Sequence, residues 1–168
     1  MKYGIVMFPT DYSIGAADLA KAVEQRGFES LFYPEHTHIP ASRRTPWPGG
    51  ADLPKEYWHT VDPFVGLMAA ASVTKTLKVG TGICLIIERD TITTAKAVAS
   101  LDLLSNGRFE FGIGGGWNAE EMEHHGTIFK SRFQLAREIV DPHRVVGGEH
   151  EHAGMHRLSF DLLLGWRE

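Results

Sequence analysis

Three short stretches carry residue types that could do chemistry on a bound ligand. The first is Glu35-His36, which directly follows an apolar run closed by Pro34. An unperturbed imidazole titrates near neutrality, so His36 suits the role of general acid or base. Glu35 could orient it or meet a polar ring edge. The second is RFEFGIGGGWNAEE, residues 108–121, in which a strand-like run enters Gly114, Gly115 and Gly116. Glycine has no Cβ, so such a run adopts positive φ readily and lets a ligand approach the backbone. Trp117 could wall a pocket there, and Asn118 could hydrogen-bond a ligand carbonyl or amide; the competing readings are a core anchor and a helix cap. The third is Gly82-Ile83-Cys84 in KVGTGICL, residues 78–85. Glycines inside a strand suggest a bulge or a close backbone approach. Cys84 stands among Ile83, Leu85 and Ile86, which favours a small packed residue over a nucleophile.

Other chemistries fit less well. After Gly112 and Gly114, the third glycine of a dinucleotide fingerprint would fall on Trp117, and no Gly-Lys-Ser/Thr follows. His150-Glu151-His152 has metal-binding residue types, but its spacing matches no standard zinc site, and a solvated tail is the preferred reading. No metal is assigned. The net charge is -4 and the cations are scattered, which removes any electrostatic case for nucleic acid or an anionic membrane. One cysteine excludes an intrachain disulfide. The start, MKYGIVMFPT, is too short in apolar residues for a signal peptide, so a cytoplasmic protein is expected.

The elements that must position these residues alternate. Short apolar runs at 3–8, 30–33, 78–85 and 109–113 read as strands. Between and after them lie helical patterns: Ala16, Leu19, Ala20, Val23; Phe64, Leu67, Met68, Ala71; Ile92, Ala95, Ala99, Leu103; and Phe129, Phe133, Ala136, Val140. Asp62-Pro63 and Asp90 read as helix starts, Gly27 and Asn106-Gly107 as helix ends. Residues 39–60 read as one long loop rich in Pro and Gly, folded over something through Trp47, Tyr57, Trp58 and His59. The order βαβαβαβα predicts an α/β fold with a parallel sheet. A doubly wound sheet and (β/α) units of a barrel both satisfy it. In either, the active edge is the C-terminal end of the strands, where Pro9-Thr10-Asp11, Glu35-His36, Gly82 to Cys84 and Gly114 to Asn118 converge.

The segments GIVMFPTDYSIG, ESLFYPEHTHIPASR, ADLPKEYWHTVDPF, VGTGICLIIERDTITTAKAVASLDLLSNGRFEFGIGGGWNAEEMEHHG and FKSRFQLAREIV resemble the luciferase-like monooxygenase family, most closely its branch that depends on the deazaflavin coenzyme F-420. The resemblance covers residues 1–140 and implies the first half of a TIM barrel; 141–168 form a weakly matching tail. It implies an oxidoreductase using F-420, or alternatively FMN, on a small organic substrate by hydride transfer or monooxygenation. It places His36 and Glu35 by the cofactor ring. It implies a bulge with a non-proline cis peptide at Gly82-Ile83-Cys84 behind the ring, and Gly114, Gly115, Gly116 and Asn118 along the cleft.

The family continues into four further strands, whereas this sequence stops at Glu168. An isolated half-barrel leaves its first and fourth strands as open edges. Self-association, or pairing with a chain carrying the other half, is therefore expected; a compact monomer in size-exclusion chromatography would count against it. The alternative function is a non-catalytic paralogue acting as a binding or assembly partner.

Overall fold

Short runs of β-branched and aromatic residues, each closed by Pro, Gly or a polar cap, set the strands. The computed structural model describes residues 1–50 and 52–140. It holds β1 (Gly4–Val6), β2 (Ser30–Tyr33), β3 (Lys78–Leu85) and β4 (Phe109–Gly114) in one sheet, ordered in space as in sequence. All neighbours are parallel, with Gly4 beside Ser30, Ser30 beside Lys78 and Val79 beside Phe109. The expected (β/α) units are therefore present as an open segment of a barrel, with β1 and β4 as its outer strands among the described residues. The register of β3 on β4 shifts between Thr81 and Cys84, and the Gly82–Ile83 peptide is cis. The tail features, His150-Glu151-His152 included, lie outside the described residues.

The helices are α1 (Ala16–Gln25), α2 (Glu56–His59), α3 (Pro63–Ser72), α4 (Thr91–Leu104), α5 (Ala119–His124) and α6 (Arg132–Val140). Asp62 accepts from the N–H of Val65 at 3.1 Å and Asp90 from that of Thr93 at 2.8 Å. Such caps contribute about 0.5–2 kcal/mol each. Gly27, Asn106 and Gly107 have positive φ at helix ends, as their types predict. Helices α1, α3 and α4 cover one face of the sheet, and the core lies between: Leu31 and Tyr33 from β2, Val79 from β3, Leu67 and Ala70 from α3 are all fully buried. Each such leucine contributes about 1.5–3 kcal/mol of burial. The alternate strand residues point away from these helices, where Lys78 Nζ meets Glu110 Oε1 at 2.6 Å and Val6 is exposed.

Three expectations need correction. Helix α4 buries Thr94, Val98 and Leu101, whereas Ile92 and Leu103 are 77% and 73% exposed. Apolar residues occur almost all round this helix, so periodicity alone did not single out the stripe that meets α3. The fourth helical pattern is split: Phe129 belongs to a 3₁₀ turn, Phe129–Ser131, and the α6 residues packed on the core are Leu135, Ala136, Ile139 and Val140. The long loop is not wholly irregular, because it contains α2, one turn that places Tyr57. No helix among the described residues is long and apolar enough to cross a membrane.

Candidate active site

The C-terminal ends of β2, β3 and β4 meet at one rim. The chain leaves β2 at Tyr33 and passes Pro34, which sets Glu35 and His36 on the first turn of the loop. The chain leaves β4 through the three glycines into α5, whose first turn carries Glu120 and Glu121 next to the positive end of the helix. These two connections touch. His36 Nδ1 lies 2.7 Å from Glu121 Oε2, and the side chains are 6% and 0% exposed. The backbone N–H of Thr37 donates to Glu121 Oε1 at 2.9 Å.

Glu121, not Glu35, therefore holds the imidazole. The Glu35 carboxylate is buried and faces the other way, accepting from the N–H of Leu85 at 2.6 Å and from Arg89 Nε at 2.6 Å. Arg89 also reaches Asp62 Oδ2 at 2.6 Å. Burial opposes the Arg89 charge, but the two carboxylates hold it ionised. Glu35 thus ties the end of β3 to the β2 loop. Sequence spacing favoured the adjacent acid; the actual partner is 85 residues away in the chain. The available signal was a Glu-Glu pair beside an apolar Met122 immediately after a glycine turn, an unusual place for two acids that are both buried.

The long loop encloses His36. Tyr57 lies 5.2 Å from the imidazole and Trp117 5.7 Å, the latter edge-on. Trp47 packs edge-on against Tyr57, and the Arg43 guanidinium sits over Trp117 at 5.6 Å. Glu120 fixes this loop: it accepts from the N–H of Arg44 at 3.0 Å, from that of Thr45 at 3.2 Å and from the Thr45 hydroxyl at 2.7 Å. Burial works against its ionisation, yet these donors outweigh it and hold the carboxyl at about 2.

The glycines are close-packed by protein. A Cβ on Gly114 would collide with Ile83 Cδ1, one on Gly115 would meet Phe133 at 2.9 Å, and one on Gly116, at φ 62°, would meet Leu85 and Met122 at 2.9 Å. Cys84 is fully buried, and burial, then the Glu35 charge, push its thiol up. Asn118 precedes α5, but its side chain caps nothing; Nδ2 turns to Glu121 at 3.5 Å and Oδ1 is buried without a partner. Thr10 Oγ1, at the end of the β1 connection, is likewise buried and unpartnered.

Glu88, which sequence reasoning passed over, lies under the glycine turn with its side chain 1% exposed, and no hydrogen-bond donor reaches either oxygen. Burial first, then the Glu121 and Glu35 charges, raise it well above the usual carboxylate range. A carboxyl raised in the folded state stays protonated there while the unfolded chain releases its proton. Stability therefore falls as pH rises above the ordinary value of 4.5. Glu88→Gln is expected to abolish this fall and to stabilise the protein at pH 8 by at least ~1 kcal/mol, since a tenfold change in proton affinity between the folded and unfolded chain corresponds to about 1.4 kcal/mol. Urea denaturation at pH 5 and pH 8 checks it; a variant less stable than the parent at pH 8 would contradict the assignment.

Comparison with known proteins agrees with this fold. The luciferase-like monooxygenase family matches residues 12–163. The uncharacterized protein Rv0953c of Mycobacterium tuberculosis is 41% identical over 154 residues, 90% of this chain and 55% of that protein. A 5,10-methylenetetrahydromethanopterin reductase of Methanolobus tindarius is 28% identical over 119 residues, 71% of this chain and 30% of the reductase. The crystal structure of monooxygenase RslO1 from Streptomyces bottropensis superposes with a TM-score of 0.68 at 26% identity, over 86% of this chain and 42% of that one. This chain thus spans about half the length of the Mycobacterium relative. With the family match running from residue 12 through β2, β3 and β4 and through both connections that build the rim, the chain belongs to the luciferase-like monooxygenase family.

Proposed function

We propose that this chain is the part of a cytoplasmic oxidoreductase that holds a flavin-type cofactor against a small organic substrate, with His36 as the group that moves the proton. The observation that carries the reading is His36 itself. It is fixed by a buried carboxylate inside an aromatic enclosure at the strand ends. Concave sites with apolar walls and a few convergent polar groups are where flat ligands bind.

The residues present suit such a ring. The walls are Tyr57, Trp117 and Trp47, and the unpartnered Asn118 Oδ1 and Thr10 Oγ1 are polar atoms that a ring edge would satisfy. Gly82, Ile83 and Cys84 would contribute backbone, since the Cys84 thiol is packed away. Gly114, Gly115, Gly116 and Asn118 would form the facing side. Reduced F-420 is the preferred cofactor and FMN the alternative; bound here, either would supply the redox chemistry, by hydride transfer or by oxygen activation. The sequence resemblance of the segments quoted above to the F-420-dependent branch supports the first.

The chain's own work is orientation and proton transfer. A carboxylate at 2.7 Å requires Nδ1 of His36 to donate, which leaves Nε2 as the atom free to exchange a proton. Glu35 and Arg89 fix the end of β3, and Glu120 holds the aromatic loop in place so that it excludes water. Titration of the purified protein with F-420 and, separately, with FMN, followed by fluorescence, tests the reading. Saturable micromolar binding of one of them is expected, and no saturation by either would end the proposal.

A further inference from the structure

The side chains between buried His36 and the surface are joined end to end. Glu121 takes His36 Nδ1 on Oε2, and its Oε1 lies 3.4 Å from the Thr37 hydroxyl. Thr37 Oγ1 lies 2.7 Å from His125 Nε2 and 3.0 Å from His38 Nδ1. His38 Nε2 continues to His124 Nδ1 at 2.8 Å, with the two rings stacked. His124 and His125 are exposed. The β2 loop and the end of α5 thus bring four titratable rings and a hydroxyl into one line that begins in the interior and ends in water.

We propose that Glu121, Thr37 and His38 form a proton path connecting His36 with solvent at His124 and His125. The proposal rests on His36 as the proton-moving group. A proton taken up at His36 Nε2 is matched by release of the Nδ1 proton to Glu121 Oε2. Glu121, now neutral, rotates about its Cγ–Cδ bond, which exchanges its two oxygens, and the protonated oxygen donates to Thr37 Oγ1. Thr37 gives up its own proton to His125 Nε2 or His38 Nδ1. The receiving ring loses one from its other nitrogen, to water or, through His38 Nε2, to His124. One proton enters and one leaves, so the net charge inside is unchanged; the reverse order delivers a proton inward and restores the Nδ1–H form of His36 that pairs with the Glu121 carboxylate.

Glu121 touches a proton-carrying group on each oxygen, His36 on one and Thr37 on the other. The groups facing it are His36 and Thr37 from the β2 loop, Asn118 from its own helix start, and Glu88 from the turn after β3. Two adjacent buried carboxyls disfavour holding two negative charges, so Glu88 keeps its proton beside Glu121. Arg89 is already committed to Glu35 and Asp62. Burial, then the neighbouring His38, lower His125, so its ring is neutral and able to accept near neutral pH. Thr37 passes a proton; it does not touch the reacting atoms.

The test uses the full chain labelled with ¹⁵N-histidine, and reads exchange of the His36 ring N–H with water by NMR. Thr37→Val and Thr37→Ala remove the hydroxyl but keep the N–H that holds Glu121; Thr37→Ser keeps both. Whichever of the first two folds is expected to slow exchange by about tenfold or more, as loss of a positioned proton carrier does, with Thr37→Ser within a factor of about two of the parent. A site that had merely loosened would exchange faster, not slower. Unchanged or faster exchange without the hydroxyl, or slow exchange in Thr37→Ser, overturns the path. Since no cofactor enters this measurement, its failure is separate from failure of the acid–base reading, which turnover of His36→Gln decides.

Discussion

Replacing His36 by glutamine is expected to lower cofactor turnover by about 10²–10⁴-fold, the usual contribution of a positioned acid or base. Cofactor affinity should change little. Glutamine is chosen because its amide N–H₂ can still donate to Glu121, which is fully buried and would otherwise be left partly unpaired. The aromatic enclosure of Tyr57 and Trp117 then keeps its shape while the proton-exchanging nitrogen is lost. The comparison is of kcat and KM for the parent and variant with whichever cofactor binds. A variant that turns over within a few-fold of the parent would remove His36 from the chemistry.

The largest effect on stability is expected at Arg89. Three buried carboxyl groups, Glu35, Glu88 and Glu121, lie near one another, and the Arg89 guanidinium is the cation bonded directly to the first of them. Arg89→Leu would leave the Glu35 carboxylate buried with only the Leu85 N–H, and breaking one side of such a pair costs about 3–5 kcal/mol. The guanidinium also lies 4.8 Å over the Phe64 ring, so the variant loses packing on α3 as well. Removing both members, as in Glu35→Leu with Arg89→Leu, should cost less than removing Arg89 alone, because no unpaired charge remains. Urea denaturation of the single and double variants measures this. A single variant as stable as the parent would show that Glu35 does not depend on its partner.

Much of the fold was legible in the residues because its signals are local. Proline and glycine closed the strands, Asp62 and Asp90 capped helices through donors three residues away, and Gly27 and Gly107 took positive φ at helix ends. Interactions of this range are encoded in a few consecutive residues. The face of α4 was not legible, because Thr94, Val98 and Leu101 are no more apolar than the exposed Ile92 and Leu103. Only α3 packed beside it chooses between them. The site divides in the same way. That Glu35-His36 and the glycine turn share a rim follows from parallel strands, which all end on the same side. Which acid holds the imidazole does not follow.

The amino-acid order by itself determined the alternation of strands and helices, hence the parallel sheet and the edge on which chemistry can occur, because periodicity and turn chemistry act over a handful of residues. The tertiary structure alone decided the pairings across that edge: His36 with Glu121, Glu35 with Arg89, Glu120 with the loop at Thr45, and Thr37 with His125. A hydrogen bond is made by atoms within about 3.5 Å whatever their separation in the chain, so its partners are fixed only once the sheet and helices have brought distant segments together.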